Sequence, residues 1–241
     1  MQSAIQEKRV VAAFQPIVDL RSGETVGEEA LARIVGKNDE LVPAQQFIAT
    51  AEALRLIGAI DDIVSAAALV RGAKVREQGK PSFTHFINLS PQFIADAVQV
   101  NALLERAQAL DVLNKAMPHA FVIELAEREM GEIKMLQKRL RPLLEAGFSL
   151  ALDDFGSGRA SFAYLADLPL SFLKIEGWMV QRLLRDTRVR QLVTGIVGTA
   201  KTFSARTVAE CVEDGESAQI LCDLGVDWAQ GYFFAVPGVV Q

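Results

Sequence analysis

Seven short apolar segments of this 241-residue chain end on side chains that could hold cations or move protons. In chain order they close on Glu29, Asn88, Glu124, the pair Asp153-Asp154, Lys174 (followed by Glu176), Glu210 and Gln230. Five carboxylates gathered on one rim would repel one another and raise each other's pKa values. One or two divalent cations are the economical remedy, and an all-oxygen set with an Asn amide favours Mg²⁺ or Mn²⁺ over zinc. Such a rim suits an anionic substrate, above all a phosphodiester, with two cations about 3.5–4 Å apart acting on water and leaving oxygen. Lys174 would add a fixed positive charge, and Arg33 a planar donor for a phosphate oxygen. His85 and His119 have no partner at ligand spacing.

The elements that must position these groups follow from periodicity. Strands are expected at Phe14–Leu20 and Thr25–Leu31, joined as a hairpin through Arg21-Ser22-Gly23. Further strands are expected at Phe83–Leu89, Phe121–Leu125, Phe148–Asp153, Phe172–Ile175, Thr207–Glu210 and Trp228–Phe234. Between them lie helical stretches at Asn101–Leu110, Lys134–Ala146, Trp178–Phe203 and Glu216–Leu224, with a short helix near Ser161–Ala166. From Pro43 to Glu77 the pattern reads as two helices broken near Gly58. Two residues before the polar ends stand Phe86, Val122, Ala151, Phe172, Val208 and Trp228, all apolar, and their neighbours on the opposite face are apolar too. Strands buried on both faces and alternating with helices predict a parallel α/β barrel whose polar residues cap its C-terminal mouth. An open doubly wound sheet is the rival, and no glycine fingerprint supports it. Asp153 and Asp154 have opposite parity, so both can reach one site only where the backbone turns, and Phe155-Gly156-Ser157-Gly158 offers a turn.

Composition bounds the partners. Half the residues are hydrophobic and the net charge is −5, which fits one domain spanning 1–241 and gives no footprint for polymeric nucleic acid. No apolar run reaches the ~18 residues of a membrane helix and no signal peptide opens the chain, so a cytoplasmic protein without direct membrane contact is expected. Two cysteines, Cys211 and Cys222, build no disulfide framework. Plainer roles remain open at this level. Asp153-Asp154 could cap a helix, Lys174 could snorkel from an edge, Glu127 and Glu213 could be solvated, and Arg182–Arg190 reads as a solvated helix face.

Taken together, several segments resemble the EAL family of cyclic di-GMP phosphodiesterases. They are Gln15-Pro16-Ile17-Val18, Glu29-Ala30-Leu31 with Arg33, Asn88-Leu89-Ser90, Glu124-Leu125-Ala126-Glu127 and Asp153-Asp154-Phe155-Gly156-Ser157-Gly158. Leu168-Pro169, Leu173-Lys174-Ile175, Ala209-Glu210 with Glu213, and Gln230-Gly231-Tyr232 before Pro237 complete the set. The resemblance implies a TIM-like barrel with one antiparallel strand, and hydrolysis of cyclic di-GMP to linear 5′-pGpG. It implies that Glu29, Asn88, Glu124 and Asp153 hold one cation, with Asp153 shared and Asp154 on the second. Mg²⁺ or Mn²⁺ would support turnover and Ca²⁺ would inhibit. Lys174 would touch the nucleophilic water, and Glu210 would serve as general base or water-side partner. Arg33 would meet the phosphate, Gln230 would lie with the nucleotide, and Gln15 and Glu176 would flank the substrate. Glu127, with Glu213, would anchor the Asp-Phe-Gly-Ser-Gly loop. A homodimer is expected, as is an upstream sensor or cyclase (GGDEF) domain in a longer protein, with residues 1–9 a tail or connecting helix.

This chain departs from the family pattern at several places. Glu176 replaces the usual Asp after Lys-Ile, moving a carboxylate by roughly a bond length, and misplacements near 1 Å can cost ~100-fold in rate. Cys211 stands where glycine is usual, Ser157 replaces Thr, and Arg159 stands where an aromatic is common. Two other classes are compatible with a carboxylate-lined barrel mouth. One is a catalytically silent receptor signalling through a dimer. The other is a barrel glycosidase using a carboxylate pair, which aromatic content of 7% supports poorly.

Overall fold

The computed structural model describes residues 1–79, 82–113, 119–126, 132–155 and 161–239. Its first strands, β1 (Val10–Asp19) and β2 (Thr25–Val35), form the expected hairpin, with Val11 opposite Arg33 and Gln15 opposite Glu29. Asp19 accepts from the backbone N–H groups of Arg21 and Ser22, and Gly23 takes φ +74°, so the turn closes locally. Both strands run four residues beyond the expected ends, because their antiparallel pairing continues from Ala13 opposite Leu31 to Val10 opposite Ile34. A short strand β3 (Leu41–Pro43) pairs with this extension of β2.

Six parallel strands follow: β4 (Thr84–Asn88), β5 (Phe121–Ala126), β6 (Ser149–Phe155), β7 (Leu170–Ile175), β8 (Arg206–Ala209) and β9 (Trp228–Ala229). β4 pairs parallel to β2, and β9 returns antiparallel to β1, with Val18 opposite Ala229. The ring β1-β2-β4-β5-β6-β7-β8-β9 is therefore a closed eight-stranded barrel in which β1 is the antiparallel member.

Inside the ring Ile17, Phe86, Val122, Ala151, Phe172, Val208 and Trp228 form a core of their own. Six of these are the residues read from the sequence as the inward column. Phe172 joins Phe86 and Trp228 at ring separations of 5.0 and 5.1 Å, which fills the cylinder with aromatic volume. The outward residues Ile87, Ile123, Leu150, Leu152 and Leu173 pack under the helices. Gly72, in helix α3 described below, is one contact that dictates composition: a Cβ there would lie 2.3 Å from Phe121 Cζ.

The helices are α1 (Gln2–Gln6), α2 (Ile48–Ala53), α3 (Ile57–Glu77), α4 (Pro91–Ala95), α5 (Ala97–Ala109), α6 (Ile133–Ala146), α7 (Ser161–Asp167), α8 (Gly177–Arg182), α9 (Thr187–Thr202) and α10 (Gly215–Asp223). Among the described residues none is long and apolar enough to cross a membrane. Four further boundaries differ from the sequence reading by more than a residue or two, each for a local reason. The break before α3 falls at Leu54–Leu56, where Arg55 is left-handed (φ +56°), while Gly58 is helical and packs on Gln99. The expected helix Trp178–Phe203 is two helices, because Asp186 turns its backbone extended and caps α9 by accepting from the N–H groups of Arg188 and Val189. Asp96 caps α5 in the same way and starts it four residues early. Trp228–Phe234 is a strand only at Trp228–Ala229, since Gly231 approaches Val212 so closely that the chain turns away.

Candidate active site

Most of the rim residues stand at the C-terminal ends of barrel strands, while Glu29 projects from within β2, near the end of its pairing with β4. Glu29 lies inside β2, two residues after Gly27, where a Cβ would sit 2.6 Å from the Thr84 carbonyl oxygen. Close approach of β2 and β4 therefore requires the missing side chain there. Lys174, at the end of β7, is buried to 1% exposure and stands at the centre. Its Nζ lies 2.6 Å from Glu210 Oε1, 2.7 Å from Glu124 Oε1, 3.3 Å from Glu29 Oε2 and 3.7 Å from Asp153 Oδ1. Glu29 also accepts from Asn88 Nδ2 at 2.8 Å and from Gln230 Nε2 at 2.5 Å. Side chains carried by seven strands thus gather at one rim, four carboxylates on the Lys174 ammonium and two amides on Glu29.

Electrostatics follow from that crowding. Burial disfavours the charge on Glu124, the neighbouring Glu29 disfavours it further, and its carboxyl rises well above the ordinary carboxylate range despite Lys174. Burial together with Glu29 and Asp154 likewise lifts Asp153. Glu210 is pushed up to about 8 by burial, with Asp153 and Glu29 adding to the effect and Lys174 opposing it. Burial would also raise Glu29, but Lys174 and the hydrogen bonds from its neighbours win, and it stays below the usual range. For Lys174 burial favours the neutral amine; four surrounding carboxylates overcome this and hold it charged.

The arrangement accommodates cations. Both carboxylate oxygens of Glu124 are buried without a hydrogen-bond donor among the described residues, since Lys174 Nζ approaches Oε1 off the hydrogen-bonding direction. A buried acceptor without a donor is costly unless something positive meets it. Asp153, Asp154 and Glu210 also offer carboxylate oxygens within 4.8 Å of one another. Oxygen donors at that spacing fit Mg²⁺ or Mn²⁺.

Asp154 reaches this cluster because of a distortion the sequence reading put one step later. β6 continues through Phe155, its pairing with β7 slips between Leu152 and Phe155, and Asp154 adopts φ +55°. The turn that brings both aspartates to one side thus lies at Asp154 itself, stapled by its N–H donating to Asp153 Oδ1 at 2.9 Å. Gly156–Arg159 and Glu127 lie outside the described residues.

Beside the cluster opens a cavity of about 350 Å³, bounded by Glu29, Arg33, Glu210, Cys211, Glu213 and Gln230 and further by Gln15, Gln45 and Tyr232. Arg33 is buried in its wall and donates Nη1 to the Ala32 carbonyl; burial presses its guanidinium down while Tyr232 and Glu29 oppose the effect. Gln15 donates to the Ala235 carbonyl and so ties the C-terminal segment across the cavity edge. Gln230 spends its Nε2 on Glu29, leaving a buried Oε1 without a donor among the described residues. Glu176 Oε2 accepts from Trp178 Nε1 at 2.7 Å at the start of α8. Cys211 occupies a left-handed position, φ +55°, with its Sγ against Gly177. His85 lies outside the site and pairs with Glu28 at 3.1 Å, and His119 Nδ1 meets Ser149 Oγ. Sequence reasoning missed Leu31, Gln45 and Tyr232 as cavity walls. Gln45 sits in a 3₁₀ turn (Ala44–Gln46) that follows the unforeseen β3, and no local pattern announced it.

Comparison with known proteins agrees with this geometry. The family model described as EAL domain matches residues 1–237. Cyclic di-GMP phosphodiesterase PdeF of Escherichia coli (strain K12) is 31% identical over 241 residues, covering 98% of this chain and 31% of that protein. Cyclic di-GMP phosphodiesterase PdeB of Shewanella oneidensis is 32% identical, covering 97% of this chain and 27% of its own length. The chain therefore spans less than a third of these curated relatives. Among solved structures, a PaMucR phosphodiesterase in complex with c-di-GMP superposes with a TM-score of 0.90 at 28% identity, over 99% of this chain and 96% of that one. The EAL enzyme Bd1971, in a form with cAMP and cyclic di-GMP bound, gives 0.90 at 28% identity over 99% and 64%. From its barrel closure to the order of its rim residues, the chain belongs to the EAL domain family.

Proposed function

We propose that this chain is a divalent-cation-dependent phosphodiesterase that opens cyclic di-GMP to linear 5′-pGpG. One observation carries the reading: Glu29, Glu124, Asp153 and Glu210 converge on Lys174 at the wall of a cavity that also holds Arg33. The relatives' names and the ligands in the two solved structures support cyclic di-GMP as substrate.

Glu29, Asn88, Glu124 and Asp153 would hold one Mg²⁺ or Mn²⁺, and Asp153 with Asp154 a second. Bound there, the pair supplies the positive charge that acidifies water and offsets charge building on the phosphodiester. The chain's own groups do the rest. Arg33 orients a phosphate oxygen through its planar guanidinium. Glu210 takes the proton of the attacking water. Lys174, held charged, fixes Glu210 and stabilises the developing negative charge. The water oxygen bonds to phosphorus, the bond to the 3′ oxygen breaks, and that oxygen leaves as a hydroxyl after gaining a proton.

Incubation with cyclic di-GMP and Mn²⁺ or Mg²⁺, with and without EDTA, tests this directly. Appearance of pGpG that EDTA abolishes is expected. Tight binding without product would overturn it in favour of a receptor. The chain spans less than a third of these relatives, in keeping with a place in a longer protein; a neighbouring sensor or cyclase domain and a homodimer are further parts of the proposal.

A further inference from the structure

We infer that Asp61, on α3 and outside the cavity, is a positioning residue that sets where Asn88 presents its side chain. Asn88 is exposed, so packing does not fix it. It is also the last paired residue of β4. On one side the ladder with β2 stops at Ile87, and on the other Asn88 pairs with Glu124, after which Leu89 N–H reaches the Glu124 carbonyl only at 3.5 Å. The next firm tie is a side chain: Asp61 Oδ2 accepts the Ser90 N–H at 2.9 Å. Leu89, between them, is buried.

Ser90 belongs to a rigid junction. Its backbone is extended (φ −65°, ψ 155°), its Oγ accepts from Phe93 N–H, and Pro91 opens α4. Asp61 therefore fastens the start of α4 to α3 two residues beyond Asn88. Its position is otherwise an apolar one. Asp61 is 7% exposed on the face of α3 formed by Ile57, Ile60, Val64 and Ala68. A carboxylate there is costly to bury, and core packing alone gives no reason for it. Asn88 already donates Nδ2 to Glu29. Its Oδ1 is then the atom turned to a cation, and a small shift of the Leu89-Ser90 backbone would swing it. Groups one step behind a metal ligand typically govern affinity by 10–100-fold.

The inference rests on the rim being a cation site and is independent of the substrate. The test compares Asp61→Ala, Asp61→Asn and Ser90→Ala by amide hydrogen exchange in the metal-free protein and by calorimetric Mn²⁺ binding. Asp61→Ala is expected to unprotect the Ser90 amide and to weaken Mn²⁺ by at least ~10-fold. Asp61→Asn, which keeps a weaker acceptor, is expected between it and the parent, roughly 2- to 5-fold weaker. Ser90→Ala loses only the helix cap, so it is expected to lower the melting temperature and leave Mn²⁺ affinity unchanged. Parental affinity in Asp61→Ala overturns the inference, as does Ser90→Ala weakening Mn²⁺ equally. If Asp61→Ala does not fold, Asp61→Asn decides, and unchanged affinity there overturns it. Failure of the parent protein to bind Mn²⁺ would instead sink the cation-site reading itself.

Discussion

Glu124 and Lys174 are each 1% exposed and face one another at 2.7 Å, the most deeply buried pair of charged residues on the rim. Lys174 is the counter-charge for three further carboxylates as well. Its replacement by Met would leave four acidic groups without a cation. In metal-free protein that change is expected to cost roughly 3–5 kcal/mol, as for other broken buried pairs. Mn²⁺ is expected to restore more melting temperature to the variant than it adds to the parent, while turnover stays down about 10²–10³-fold. A thermal melt with and without Mn²⁺, run beside a pGpG assay, reads both.

Ca²⁺ is expected to occupy the same oxygens and to inhibit. It takes six to eight oxygens at about 2.3–2.6 Å, against about 2.0–2.1 Å in a tight octahedron for Mg²⁺. Water and phosphate held by the larger ion are then misplaced relative to Glu210. Inhibition that excess Mg²⁺ relieves competitively supports shared sites; inhibition insensitive to Mg²⁺ contradicts them.

Gly231→Ala is expected to abolish turnover and to destabilise the fold. A Cβ there would meet Val212 O at 2.1 Å and Val212 N at 2.3 Å, both backbone atoms. The clash must move Gln230, whose Nε2 holds Glu29. Overpacking of this kind costs typically about 1–3 kcal/mol. A soluble, fully active Gly231→Ala protein would be the contrary result.

Cys211→Gly should be neutral to stabilising by up to about 1 kcal/mol. A side chain at φ +55° costs roughly 1–2 kcal/mol, and glycine's greater freedom when unfolded returns about 0.5–1. The expected melting shift is small and upward, with turnover retained; a clear fall in melting temperature would show that contact of Cys211 with Gly177 matters more than the strain.

On the outer side of β2, Glu28 pairs with His85 and with Arg71 at 3.1 and 3.0 Å. Burial pushes the Glu28 carboxyl up, yet His85 and Arg71 outweigh it and hold it below its ordinary 4.5. A carboxyl depressed by folding stabilises above its unfolded pKa, and that stability is lost as pH falls through the folded value. Glu28→Gln is therefore expected to destabilise by about 1–3 kcal/mol near pH 7, with the gap to the parent closing below pH 4.5. Denaturant melts at pH 7, 5 and 3.5 check this, and a gap that widens in acid contradicts it.

The barrel and its mouth were legible because two periodicities coincide. Phe86, Val122 and Phe172 point inward two residues before Asn88, Glu124 and Lys174, so a polar residue in that frame must cap the column. What escaped was set by contacts distant in sequence or by single backbone distortions. Asp154 reaches the cluster through a left-handed bulge inside β6, and Arg55 ends α2 in the same conformation, neither of which a side-chain pattern encodes. β9 is short because Gly231 meets Val212. Tyr232 and Gln45 become cavity walls only once the C-terminal segment and β3 are laid over the rim.

Diffraction from crystals grown with Mn²⁺, recorded at the manganese absorption edge, tests the central claim most directly. An anomalous peak within ligand distance of Glu29, Asn88, Glu124 and Asp153 is expected, with a second beside Asp154. Crystals that hydrolyse cyclic di-GMP yet show no manganese among those residues would contradict it.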